Sequence, residues 1–130
     1  MKERVVLLHL IVLLFSYTVQ SQNKADDITG IWLTSGKEPA KIQIYRSGEK
    51  FYGKIVWLKY PTENGKQRLD ANNPDKGKRN NPIIGLIILK DFKFDDDDEW
   101  KSGDIYDPEN GKTYSSYTYL TVNRCQLHSD

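Results

Sequence analysis

The sequence predicts an all-β domain, a small antiparallel β-barrel or a strongly curved meander sheet, and three observations carry that expectation. From Gly30 onward apolar and polar residues alternate with period two, and no segment has the spacing of an amphipathic helix. Six such segments are joined mostly by short turns rich in Gly, Asn, Asp and Pro. A meander of this kind gains from closing, because closure removes the exposed edges that invite aggregation.

The chain has 130 residues, room for one domain, and its first part reads as a leader. Lys2 and Arg4 form a basic start before the apolar run Val5 to Phe15, which only His9 interrupts. Val19 and Ser21 are small or modest residues of the kind a signal peptidase reads. Residues 1–21 are therefore expected to be a signal peptide, cut before Gln22. A spanning helix needs about 17–25 apolar residues, more than this run supplies, so no stable membrane span is expected after cleavage. No cysteine near the cut could carry a lipid anchor. Residues 22–29 are expected to be a mobile polar leader, and residues 30–121 the β domain.

Within the domain, Ile31 and Leu33 alternate with Trp32, and Ile42 and Ile44 with Lys41, Gln43 and Tyr45. Ser47-Gly48-Glu49 is a hairpin-sized break before Phe51 to Leu58, where Phe51, Gly53, Ile55 and Trp57 share one face of a strand. Tyr60 to Pro82 interrupts the pattern with a stretch rich in Asn, Gly, Pro, Lys and Arg. Long loops inside compact domains are commonly functional or disordered, which makes this the first place to look for a site. Ile83 to Leu89 reads as a strand buried on both faces, with Gly85 allowing a bend or a close backbone approach. Phe92 and Phe94 continue one face to the acidic turn Asp95–Glu99. Trp100–Tyr106 and Lys112–Thr121 form a last hairpin. In its turn, Asp107 can accept from the backbone two residues on, Pro108 presets φ, and Asn110 and Gly111 tolerate positive φ. Residues 122–130 show no clear alternation and are expected to be an irregular tail.

Composition excludes several classes. Loss of Lys2, Glu3 and Arg4 with the leader takes the formal charge from +1 to 0, so nothing electrostatic favours nucleic acid or an anionic membrane. Cys125 is the one cysteine, which rules out an intrachain disulfide and leaves stability to the core.

Five stretches in order carry a resemblance: Gly30-Ile31-Trp32-Leu33-Thr34, Tyr52 to Leu58, Asp70 with Asn73-Pro74, Pro82 to Leu86, and the hairpin Trp100 to Tyr114. Together they resemble the exported bacterial family called domain of unknown function 2147. The resemblance implies a lipocalin-like β domain, periplasmic or secreted, and implies no established activity. Family members continue beyond the last hairpin with another strand pair, a Gly-Tyr segment and a Gly-Arg-Thr stretch ending in Trp and Arg. Thr121 to Asp130 does not match it. A C-terminally truncated or divergent member is expected, with an open sheet edge after Lys112–Thr121 and less stability than its relatives.

The polar candidates concentrate in the long loop. Asp70-Ala71-Asn72-Asn73-Pro74-Asp75 spaces oxygens like the start of a calcium loop, but Pro74 and Asp75 stand where that loop needs a ligand and a glycine. Asx turns are the stronger reading, and a charge-assisted contact between Asp70 and Arg79 is one way to order the loop. Asp95 to Glu99 could hold a hard cation, yet no residue inside the run builds the fold a selective site needs. A solvated turn fits better. Trp32, Trp57, Trp100, Tyr106, Tyr117 and Tyr119 either line an apolar or sugar-binding pocket or fill the core, and filling the core is the commoner use. Lys76, Lys78 and Arg79 have no interleaved aromatics to make a nucleic-acid platform.

No catalytic residue emerges. His9 leaves with the leader, His128 and Cys125 sit in the tail, and no nucleophile motif is present. The leading expectation is a non-catalytic binding module, exported, for a small apolar ligand or an envelope protein, without cofactor or metal. Its candidate ligand-binding residues are Trp57, Asp70, Asn73, Arg79, Trp100, Tyr106 and Asp107. The alternatives are a hydrolase or transferase acting on envelope polymers through Asp70, Arg79 or Asp107, and a truncated product without activity.

Overall fold

The computed structural model describes residues 24–95, 99–121 and 124–129. The expected signal peptide lies outside the described residues. Seven strands form one antiparallel sheet in chain order: β1 (Gly30–Leu33), β2 (Ala40–Ser47), β3 (Lys50–Leu58), β6 (Ile87–Asp95), β7 (Glu99–Asp107), β8 (Lys112–Thr121) and β9 (Arg124–Ser129). The two-residue strands β4 (Thr62–Glu63) and β5 (Lys66–Gln67) pair separately inside the β3–β6 connection. Among the described residues β1 and β9 do not pair, so the sheet is a curved meander and not a closed barrel.

The alternation of β2 and β3 does what period two requires. Ile42, Ile44, Phe51 and Ile55 are buried on one face, while their neighbours are partly or fully exposed. Trp57 leaves that face. A bulge lets Lys41 pair with Trp57 and Ile42 with Ile55, so parity inverts at Val56. Trp57 is consequently 40 % exposed, with the Lys41 ammonium over its ring, and Leu58 packs on the core instead. On β1 it is likewise Trp32 that packs inward, leaving Ile31 and Leu33 exposed.

Aromatic rings fill the interior. Trp100 has no exposed surface and meets Phe51 edge-on at 6.4 Å and Phe94 at 5.1 Å between ring centroids. Two glycines make room for their cross-strand neighbours. A Cβ on Gly103 would stand 2.3 Å from the Phe92 ring, and one on Gly53 2.7 Å from Leu89. A one-turn 3-10 helix, Ala25–Ile28, plugs this interior with the buried Ile28. Its carbonyls accept from indoles: Trp100 Nε1 donates to Ala25 O at 3.1 Å and Trp32 Nε1 to Ile28 O at 2.7 Å.

Three expectations are corrected, and one alternative left open, a functional or a disordered long loop, is decided. The leader expected to be mobile contributes that 3-10 plug from residue 25 onward, because Ile28 and two indole donors hold it. Ile83–Leu86 is a β-turn and not strand: Leu86 N donates to Ile83 O at 3.1 Å, and Gly85 has the positive φ of 94° that a type II turn needs at its third position. Tyr60–Pro82 is ordered. Asn64 and Gly65, both at positive φ, form the tight turn between β4 and β5. Residues beyond it make a loop closed by a bridge between Leu69 and Pro82. Finally, the expected irregular tail contains β9, paired along β8 from Thr121–Arg124 to Ser116–Ser129. Cys125 and Leu127 alternate with Arg124, Gln126 and His128, a short strand signal overlooked beside the missing family motif.

Candidate functional site

The β3–β6 connection crosses the outer face of the sheet. In the register of β6–β8, Leu89 pairs with Ile105 on the core side. The neighbouring pairs Lys90–Asp104 and Tyr106–Thr113 therefore face the other way. Between this outer face and the connection runs an open groove of about 650 Å³, lined by Lys78 and Asn81 from the loop, Ile84 and Ile87 from the crossing, and Lys90 and Tyr106 from the sheet. Its size falls within the range of small-molecule sites, about 300–1,000 Å³. Ile84 and Ile87 are exposed large apolar residues there. A second open groove, about 540 Å³, is walled by polar residues including Glu99, Lys101, Asp104 and Ser115.

A buried carboxylate holds the loop that shapes the first groove. Asp70 has no exposed surface. Its Oδ1 accepts from the Tyr106 hydroxyl at 2.7 Å and its Oδ2 from Asn73 Nδ2 at 2.7 Å. Both bonds are made to a carboxylate, the stronger kind of hydrogen bond. The Tyr106 phenol is pushed up to about 12, first by burial and then by its bond to Asp70. The expected Asp70–Arg79 contact is replaced: Arg79 Nε donates to Asn73 O at 2.7 Å, and Asp70 takes Asn73 and Tyr106. The calcium-like spacing resolves into Asx turns, with Asp75 N donating to Asn73 Oδ1 and Gly77 N to Asp75 Oδ1, both at 2.9 Å.

The same loop docks on the β7–β8 turn. Asn72 Nδ2 donates to Glu109 O at 2.9 Å and lies 3.3 Å from Pro108 O. Gly111, at φ 72°, comes so close to Asn72 O that a Cβ would stand 2.0 Å from it. Asp107 caps this turn, accepting from Glu109 N at 2.9 Å as its position predicts.

The seven candidate residues thus divide. Asp70, Asn73, Arg79 and Tyr106 form one connected cluster beside the groove, with Asn73 and Tyr106 lining it. Asp107 serves the adjacent turn, Trp100 is enclosed in the core, and Trp57 stands on the outer face of β3. Asp70 and Arg79 do not touch and meet only through Asn73, while Asp107 engages its own turn at Glu109 N. The side chains of Tyr117, Tyr119, Cys125 and His128 lie outside the described part of the structure, as do residues 96–98 of the acidic run. Its flanks, Asp95 and Glu99, both bind Lys101 Nζ, at 3.0 and 2.7 Å, and hold that ammonium protonated well above its ordinary range, Glu99 contributing most. Among the described residues no group of three or more His, Cys, Asp or Glu could hold a metal, and no helix is long and apolar enough to cross a membrane.

Sequence reading did not single out Ile84, Ile87 or Lys90, and weighed Lys78 only as part of a nucleic-acid platform. The mid-run Gly85 was the available sign that Ile83–Leu89 turns before it becomes a strand.

Residues 30–128 match the model of a family described as an uncharacterized protein conserved in bacteria, DUF2147. Protein HP1028 from the human pathogen Helicobacter pylori, described as belonging to the lipocalin family, has a similar solved structure. The TM-score is 0.70 at 22% sequence identity, covering 79% of this chain and 71% of that one. At that identity the likeness concerns the fold. No curated protein matches the sequence.

Proposed function

Because the chain belongs to the DUF2147 family and has a lipocalin-like fold, we propose that it is a non-catalytic binding module for a small apolar ligand, exported to the periplasm or beyond. The observation that carries this reading is the outer-face groove, where Ile84 and Ile87 remain exposed beside the Asp70-anchored loop. An apolar side chain left at a concave wall gains roughly 25 cal/mol per Å² when a ligand covers it. On the inner face Trp100, Phe51 and Phe92 are buried in the core, whereas the groove leaves Ile84 and Ile87 exposed. Export rests on the basic start and apolar run of residues 1–21.

A neutral naphthylamine dye, which brightens in apolar surroundings, tests the reading. The purified protein should bind it saturably, and the double variant Ile84→Asp, Ile87→Asp should lose binding while keeping its β circular dichroism. Retained binding in a folded double variant would remove the groove from the proposal. A dye that never binds would remove the small-molecule reading and leave a protein partner.

A further inference from the structure

We infer that the groove selects an amphipathic anion, an alkyl chain carrying a carboxylate or phosphate head; this rests on the binding reading above. The apolar wall comes from the turn and strand start, Ile84, Leu86 and Ile87. The polar lining brings in two lysines from separate elements, Lys78 from the 3-10 turn Lys76–Lys78 of the loop and Lys90 from β6. Neither forms an ion pair among the described residues, although Lys90 stands opposite Asp104 in the β6–β7 register. Asp104 lines the same groove, so the charged lining is two cations against one carboxylate. Tyr106, the remaining titratable group there, keeps its proton on the oxygen that bonds to Asp70 and adds no charge.

This charge balance distinguishes ligand classes. An anionic head placed between the two ammoniums supplies the counter-charge that the protein leaves out, while its chain covers Ile84 and Ile87. A cationic amphipath would bring a third positive charge to the same place. A neutral one would cover the apolar wall and leave both lysines to water. A free anion without a chain would meet exposed lysines only, where single ion contacts contribute little. Head and tail must therefore act together.

The experiment uses isotopically labelled protein and four probes below their micelle concentrations: decanoate, decanol, decyltrimethylammonium and acetate. Decanoate is expected to shift the amides of Gly85, Ile87 and Lys90, saturate at one equivalent and bind about fivefold tighter than decanol, in line with a few weak exposed ion contacts. The variant Lys78→Gln, Lys90→Gln should abolish that advantage and leave decanol affinity unchanged. Decyl phosphate in place of decanoate separates the two head groups, and either one binding preferentially supports the inference. Equal binding of decanoate and decanol, or tighter binding of decyltrimethylammonium, would overturn the selectivity while leaving a small-molecule site in place. Acetate binding as tightly as decanoate would overturn the role of the chain. Absence of every decyl compound from the groove would overturn both readings.

Discussion

The two sides of the β6–β8 sheet are built on opposite principles. The inner side is apolar and closely filled, with Trp100 between Phe51 and Phe94 and glycines at 53 and 103 cut to the shape of Leu89 and Phe92. The outer side is covered by a connection that joins the buried Ile83 to a polar frame: Asp70 to Tyr106, Asn73 to Asp70, Arg79 to Asn73 and Asn72 to the β7–β8 turn. Apolar packing is non-directional and leaves no gaps when it is good. A polar frame fixes backbone at a few points and can leave apolar residues between them uncovered. That difference is why the fold keeps its stability inside and its accessible apolar surface outside.

Substitutions can break the comparison, beginning with the inner side. Trp100→Ala should cost about 3–5 kcal/mol in chemical denaturation, since it empties the best-buried site of the core. A loss below about 1 kcal/mol would mean the interior is loosely packed after all. Asp70→Ala leaves the Tyr106 hydroxyl and the Asn73 amide without their acceptor and should cost about 1–3 kcal/mol. Unlike the core change, it should also raise amide exchange selectively between residues 68 and 83. If exchange rises uniformly, the loop is not an independent unit held from outside.

Smaller effects sharpen the picture. Gly111→Ala forces a Cβ against Asn72 O at a positive φ and should cost about 1–2 kcal/mol, loosening the docked loop before the sheet. The Tyr106 phenol gives a pH test. Its folded-state value lies above that of the unfolded chain, so its contribution is complete below about pH 10 and declines as pH rises towards about 12. Tyr106→Phe should flatten this part of the stability profile, and an unchanged slope would disconnect Tyr106 from it. At the bottom of the scale, Gly65→Ala in the β4–β5 turn should cost about 1 kcal/mol and leave dye binding at the groove intact.

The strand order was readable because period-two alternation and short turns report local constraints. Ser47-Gly48-Glu49 and the Asp107–Lys112 turn fall where their residues require, and Asp107 accepts from Glu109 as a residue of its type does at that position. The side chains' direction was less readable wherever a bulge intervened. Trp57 shares the parity of Phe51 and Ile55 in the sequence, yet one extra residue at the bulge turns it outward. Nothing in a linear string marks such an insertion, because it is fixed by pairing with another strand. The candidate cluster was legible in part: Asp70, Asn73 and Arg79 were recognisable as loop residues that belong together, and Tyr106 as an aromatic candidate. Their actual connection runs through Asn73 and Tyr106 and not directly from Asp70 to Arg79: the Asn73 bonds are local, but the one from Tyr106 to Asp70 spans 36 positions of the chain.

The sequence by itself determined an antiparallel β domain, its turns and the family to which it belongs, since each rests on residues close together in the chain. Only the tertiary structure decided that Trp100 is enclosed in the core, that residues 124–129 add a seventh strand to the sheet, and that the long connection lies across the outer face. The physical reason is that alternation says which residues can share a face. Which face is covered, and what remains open beside it, follows from segments meeting that are distant in sequence.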